Sequence, residues 1–129
     1  MKAVIIDADL RFIEMIEKTF LSLEKEDENA GIDVEETFFV AGNALNGKDG
    51  YELIKKERPD LVVMDLKLPE LGGISLLRKL RRENAEAHVL VTTEDTDFGH
   101  ARQAIELGID NYMLKPVKRA QFKKAIRQI

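Results

Sequence analysis

A chain of 129 residues with 44% apolar and 34% charged side chains has the size and composition of one soluble globular domain, which excludes disordered, collagenous and low-complexity classes. It has no cysteine and only two histidines, so disulfide scaffolds, thiolate-held zinc, iron–sulfur clusters and thiol nucleophiles are excluded. The net charge of −4 speaks against direct binding of nucleic acid.

The first apolar run, Val4–Ile6, predicts a strand, and it meets Asp7 too early for a signal peptide or a membrane span. The expectation is a cytoplasmic protein with no membrane partner. Phe12, Ile16, Phe20 and Leu23 then recur at steps of three and four opposite Arg11, Glu14, Glu17 and Lys18, the pattern of a surface helix. Glu24 to Gly31, dense in charge and breakers, reads as a loop or a frayed helix end. Thr37–Val40 predicts a second strand. The second helix is expected over Lys48–Glu57, ending before Pro59 because proline disfavours helical geometry at Arg58. Leu61–Met64 predicts the third strand. The third helix carries Ile74, Leu77 and Leu80 beneath Arg78, Lys79, Arg81 and Arg82, a basic cluster read as a solvated face rather than a nucleic-acid site. Val89–Val91 predicts the fourth strand, and the fourth helix carries Ala101, Ala104 and Ile105 before a terminating Gly108. Tyr112–Leu114 predicts the fifth strand, and the fifth helix runs from Arg119 to the end with Phe122, Ala125, Ile126 and Ile129 on one side. Because the strands are continuously apolar rather than alternating, both faces of the sheet must be covered, which implies a parallel α/β sheet with right-handed crossovers and helices on either side.

In such sheets ligands bind beyond the carboxyl ends of the strands. Here those ends read Asp7-Ala8-Asp9, Asp65, Thr92-Thr93-Glu94 and Lys115-Pro116. Nothing about burial requires carboxylates, hydroxyls and an ammonium on one rim. Together they suit a divalent cation held by oxygen and a phosphoryl group held by the cation, a hydroxyl and the lysine. His88 and His100 lack ligand spacing and are not expected to bind metal; His100, on the fourth helix, is placed for contact with a partner. Gly72-Gly73 reads as a turn leading into a helix, since the Walker lysine pattern is absent.

These residues resemble the receiver domain of bacterial two-component response regulators. Leu-Val-Val-Met-Asp-Leu-Lys-Leu-Pro-Glu-Leu-Gly-Gly, residues 61–73, is similar to the segment around the family's phospho-accepting aspartate, with Pro69 and Gly73 at its structural proline and glycine. The stretch from Asp97 to Val117 looks most like receivers attached to AraC-type (YesN-like) DNA-binding domains. The resemblance implies a flavodoxin-like (βα)5 doubly wound sheet of order 2-1-3-4-5 and a single receiver domain over 1–129, its output domain absent from this chain. It implies Asp65 as phospho-acceptor, Lys115 as its partner, Thr92 as switch hydroxyl, Tyr112 as switch aromatic, and a cis peptide before Pro116. Magnesium would be held by Asp7, Asp65 and the backbone carbonyl of Lys67, with Asp9 a candidate fourth ligand. Lys67, Thr93 and Glu94 would tune the lifetime of the phosphoryl group, Lys67 and Glu94 pairing across the site. The implied partners are a sensor histidine kinase, a C-terminal output domain controlling transcription, and a second copy of the chain; the chemistry is that of a phospho-acceptor, not an enzyme.

One departure stands out. The family pairs two consecutive acids after its first strand, and here Ala8 takes the second place, which weakens the expected magnesium site. Asp9 either assists the metal or caps the first helix. Ala8 also motivates an alternative, a phosphorylation-independent interaction module. Asp7-Ala8-Asp9 further resembles the Asp-x-Asp nucleophile of haloacid-dehalogenase-type phosphatases, in which Asp7 would react, but no acidic pair follows Lys115 to hold the ion. A flavin carrier would share the topology without the hydroxyl-rich phosphate loop.

Overall fold

The computed structural model describes residues 1–84 and 86–129. Five parallel strands, β1 (Lys2–Ile6), β2 (Phe39–Ala44), β3 (Leu61–Met64), β4 (His88–Thr93) and β5 (Asn111–Leu114), form one sheet of order β2-β1-β3-β4-β5. Five helices alternate with them: α1 (Leu10–Asn29), α2 (Gly47–Glu57), α3 (Gly73–Glu83), α4 (Phe98–Glu106) and α5 (Arg119–Arg127). The fold is the flavodoxin-like doubly wound sheet. Period-two alternation sends Ala3, Ile5, Leu61, Val63 and Leu90 into one core with α1 and α5. Val4, Ile6, Val62, Met64, Val89 and Val91 enter a second core against α2, α3 and α4. In the first core Phe20 meets the edges of Phe38 and Phe122 at ring separations of 6.5 and 5.5 Å.

Four expectations are corrected. The second strand is Phe39–Ala44 rather than Thr37–Val40. Its length is set by β1, which it follows from Lys2↔Phe39 to Ile6↔Ala44 across an irregularity at Ala3/Val4, so pairing imposes extended backbone on Ala41-Gly42-Asn43, poor strand formers by themselves. Of the loop and the frayed helix end expected over Glu24 to Gly31, the loop is overturned, since residues 24–29 are the last turns of α1. Leu23 and Asp27 are buried, and the charges that suggested a loop are matched by α5: Lys123 Nζ lies 2.8 Å from Glu26, and Arg127 pairs with both Glu26 and Asp27. Arg81 leaves the solvated face, its guanidinium donating to the carbonyls of Ala87 and Leu107, both at 2.6 Å, and of Gly108 at 2.9 Å. Ile105 is 63% exposed on α4, so Ala104 alone of the expected trio is buried there.

Helix ends follow local chemistry. Asn46 caps α2 by accepting from Asp49 N at 2.8 Å, and the helix closes with Arg58 at φ 47, the turn out of helix that Pro59 enforces. Gly73 opens α3 so close to the end of β3 that a Cβ would stand 2.4 Å from Leu66 Cα and 2.6 Å from the Asp65 carbonyl oxygen; only glycine lets the helix begin there. Pro69 lies in the turn before it, its carbonyl accepting from Gly47 N and Leu71 N at 3.0 and 2.8 Å. The Lys115–Pro116 peptide is cis.

Candidate functional site

Three strands end in the same local device. A side-chain oxygen at the strand terminus accepts the backbone N–H two residues on: Asp9 N to Asp7 Oδ1 at 2.9 Å, Lys67 N to Asp65 Oδ1 at 3.0 Å, and Asp95 N to Thr93 Oγ1 at 3.2 Å. Asp and Thr favour these turns because their short side chains reach their own backbone. The turns leave Asp7 and Asp65 only 1% and 6% exposed.

Lys115 draws the strand ends together. Backbone pairing brings it in register, its N–H donating to Thr93 O at 2.9 Å, and its ammonium then lies 2.8 Å from Asp7 Oδ2 and 3.1 Å from Asp65 Oδ2. The ring of Phe12 covers it at 4.3 Å from the centroid. Burial pulls the Lys115 ammonium towards neutrality, but the bonds to the two carboxylates outweigh it and hold its pKa above the ordinary lysine value. Burial raises the Asp7 carboxyl above its ordinary range, against the bonds from Lys115 and the Asp9 amide.

The hydroxyl on Asp65 is that of Thr93, which donates to Oδ1. The switch hydroxyl that the resemblance implies is its neighbour Thr92, whose expected role is toward a phosphoryl group and not toward the free carboxylate. Thr92 is fully buried, and its Oγ1 has no hydrogen-bond partner among the described residues. Expected over Val89–Val91, β4 is prolonged by its two β-branched threonines to Thr93, opposite Leu114. Thr92 lies on the face of Leu90, which is also that of Val63 and Asp65.

Other expected residues divide. Asp9 Oδ1 accepts from Arg11 N and Phe12 N at 3.0 and 3.4 Å as the cap of α1. Glu94 is exposed, and it forms no ion pair with Lys67 among the described residues; the charge of Lys67 acts on Asp95 instead. Tyr112 is half-buried and donates its hydroxyl to the Asp95 carbonyl at 2.7 Å. Sequence reasoning missed Asp95, which is 8% exposed and bonded through its backbone to both Thr93 and Tyr112. The signal was the Thr93 side chain itself, since a threonine at a strand end favours a turn in which its hydroxyl accepts the N–H two residues on.

For a hard cation the corner offers the carboxylates of Asp7 and Asp65 and nearby backbone carbonyls. Among the described residues no group of three acidic or histidine side chains could hold a metal. Two carboxylates suit magnesium, which keeps several of its waters, better than calcium. No described helix is long and apolar enough to cross a membrane.

The chain matches the family model described as "Response regulator receiver domain" over residues 29–127, a stretch holding Asp65, Thr93 and Lys115. It is 32% identical over 93 residues to the "Probable C4-dicarboxylate response regulator DctR" of Priestia megaterium, a match covering 72% of this chain and 41% of that protein. It is 30% identical over 90 residues to the "Uncharacterized transcriptional regulatory protein YesN" of Bacillus subtilis (strain 168), covering 70% of this chain and 24% of that one. The chain thus corresponds to less than half the length of these relatives. Among solved structures it superposes on the REC domain of AraT, a response regulator from Geobacillus stearothermophilus, with a TM-score of 0.81 and 26% identity, covering 98% of this chain and 90% of that one. The extent of the family match, together with this superposition, establishes that the chain belongs to the response regulator receiver domains of two-component signalling.

Proposed function

We propose that Asp65 accepts a phosphoryl group from a histidine-kinase partner and that the resulting change on the β4–β5 rim is passed to an output domain. The observation that carries this reading is the constellation itself: one buried carboxylate held by the Lys115 ammonium on Oδ2 and by the Thr93 hydroxyl on Oδ1. A carboxylate oxygen of Asp65 attacks the phosphorus of a phosphohistidine. The new P–O bond forms as the P–N bond breaks, and the imidazole nitrogen leaves with a proton, giving an acyl phosphate. Lys115 is placed to shift from Asp65 to a phosphoryl oxygen and Thr93 to release its bond to Oδ1, while Thr92, on the Asp65 face of the sheet with no hydrogen-bond partner among the described residues, keeps the switch role that the resemblance gives it.

Receivers of this family generally bind magnesium. In this chain Asp7, Asp65 and the Lys67 carbonyl would hold it, with no side-chain oxygen from Ala8 and Asp9 engaged as a cap. Bound there, it offsets negative charge on the nucleophile and on the phosphoryl oxygens. The donor set fits a weak, water-rich site.

For the output we favour transcriptional control through an AraC-type DNA-binding domain. The similarity of residues 97–117 to such receivers and the match to YesN support this, and translating the reading frame beyond Ile129 tests it. The phosphorylation reading is tested by treating the chain with acetyl phosphate and magnesium and mapping the label by mass spectrometry. One phosphoryl group on Asp65, absent from Asp65→Asn, is expected. A label on Asp7 would support the phosphatase reading instead, and no label on either would support the interaction module that Ala8 suggests.

A further inference from the structure

The loop between β4 and α4 holds a pair of side chains that the phosphoryl chemistry does not use. Asp95 Oδ2 lies 2.7 Å from His100 Nδ1, and Asp95 Oδ1 accepts from Asp97 N at 2.8 Å. The Asp95 side chain is 11% exposed and that of His100 50%, so a nearly buried carboxylate is clamped by an imidazole whose far edge meets water. An ionised carboxylate only accepts, so the proton of this contact belongs to Nδ1, and Nε2 is the nitrogen that titrates.

What makes the pair more than a helix-start ornament is where the backbone of Asp95 goes. Its N–H donates to Thr93 Oγ1 at 3.2 Å, and the same hydroxyl donates to Asp65 Oδ1; its carbonyl accepts from Tyr112 at 2.7 Å. One residue therefore anchors both hydroxyls of the rim, and one imidazole anchors that residue. We propose that His100 is a positioning residue: through its ion pair with Asp95 it holds the Thr93–Asp97 loop so that Thr93 faces Asp65 and Tyr112 stays tethered, and its protonation state sets the strength of that hold. The part concerning phosphoryl transfer rests on Asp65 being the acceptor; the coupling between His100, Thr93 and Tyr112 does not.

The groups that bear on the pair come from four elements. Asp95 itself and Asp97, the cap of α4, both favour the imidazolium, the Asp95 bond most, and they raise the His100 pKa above its ordinary value. The Tyr112 phenol faces the loop from β5, and the Lys67 ammonium acts on Asp95 from the β3–α3 loop. The Asp97 amide first, and then His100, hold the Asp95 carboxyl below the usual range against its burial. A histidine raised in the folded chain contributes fully below its unfolded pKa, and the contribution is lost as pH rises through the raised value. The clamp is thus charged in mild acid and weakened in mild base.

The test is a pH titration followed by NMR on the whole chain. In the wild type, the His100 ring should titrate above ordinary histidine, and the Asp95 and Thr93 amides and the Tyr112 ring should shift along the same curve. In His100→Gln, which donates a hydrogen bond but does not titrate, that step should vanish from all three. In Asp95→Asn, the His100 titration should fall towards the ordinary value, with only Asp97 left to raise it, and the reporters should be flat. Labelling of Asp65 by acetyl phosphate should rise about fivefold through the His100 titration in the wild type and not in His100→Gln, because a charge-assisted bond is roughly twice as strong as a neutral one and Thr93 must release Asp65 for the phosphoryl group. Reporters that stay flat in the wild type, or that keep their step in His100→Gln, overturn the proposal. A chain whose reporters move but whose Asp65 takes no label at any pH overturns the acceptor reading and leaves the coupling standing.

Discussion

The corners after β1 and after β4 are built alike and behave differently. Each begins with a strand-end oxygen that accepts the N–H of an aspartate two residues later, Asp7 with Asp9 and Thr93 with Asp95. In the first corner, the second aspartate caps α1 through two backbone N–H groups, and the first is pinned by Lys115. Every oxygen interaction there is with a donor that keeps its proton near neutral pH. In the second corner, the aspartate is held by an imidazole, and the hydroxyls it anchors can rotate. Similar turns thus yield a fixed charge cradle on one side of Asp65 and an adjustable one on the other. The difference lies in what the second aspartate meets: a helix start in one case and a titratable ring in the other.

The largest test of the fixed corner is Lys115→Met. It leaves the carboxylates of Asp7 and Asp65 buried together without their shared cation, and breaking a buried pair from one side costs about 3–5 kcal/mol. Asp7 is already raised, chiefly by burial and despite Lys115. A carboxyl raised in the folded chain binds its proton more tightly there than in the unfolded chain, so stability falls as pH rises from the ordinary carboxylate range through the raised value. Removing Lys115 removes an opposing interaction and widens that window. Urea midpoints at mildly acid and mildly alkaline pH should separate further in Lys115→Met than in the wild type; equal separations would show that the ammonium does not hold this corner.

Next in size is Thr93→Val, which tests the adjustable corner. It deletes the hydroxyl bond to an ionised carboxylate and leaves Asp95 N–H without its acceptor, a loss of about 2 kcal/mol for a bond to a charged group. It should also slow labelling of Asp65. An unchanged urea midpoint would break the comparison, because Asp95 would then not depend on Thr93.

The sequence exposed the architecture wherever a local rule acted alone. The α1 stripe from Phe12 to Leu23, the stop at Pro59 and the polar ends of β1, β3 and β5 are each decided within a few residues. It was less legible where a partner elsewhere in the chain decides. The charges of residues 24–29 look like loop until Lys123 and Arg127, about a hundred positions away, are seen to meet them. The span of β2 is dictated by β1 rather than by its own alanines and glycine. At the site, Asp7, Asp65 and Lys115 were legible because each is the first polar residue after an apolar run. Thr93 was legible as a neighbour of the phosphoryl group but not as the hydroxyl bonded to Asp65. Asp95 was not legible at all, because its role depends on the turn after Thr93 and on its contact with His100, neither of which a local pattern marks.

A smaller effect is expected of Asp9→Ala, which removes the cap of α1 at about 1 kcal/mol. Because the Asp9 carboxylate is turned to backbone N–H groups, magnesium affinity in a metal titration should not change with it. Ala8→Asp, by contrast, should tighten binding by adding an oxygen beside Asp7. A loss of affinity in Asp9→Ala would show that the first corner opens to bring Asp9 onto the metal, and that it is not fixed.

The smallest change, and of opposite sign, is expected of Thr92→Val. Valine keeps the shape of threonine and the β-branched stiffness that suits a central strand, while discarding a hydroxyl that has no hydrogen-bond partner among the described residues. Carrying an unpaired hydroxyl into the core is unfavourable, so its removal should leave stability unchanged or raise it by up to about 1 kcal/mol. Labelling of Asp65 should nonetheless slow, since Thr92 stands on the same face of the sheet as Val63 and Asp65 and would lose the hydroxyl it can turn to the phosphoryl group. Measured beside Thr93→Val, it separates two adjacent threonines by position alone. If Thr92→Val labelled like the wild type and Thr93→Val alone slowed, the switch role would belong to Thr93, and the adjustable corner would supply the hydroxyl that the phosphoryl group uses.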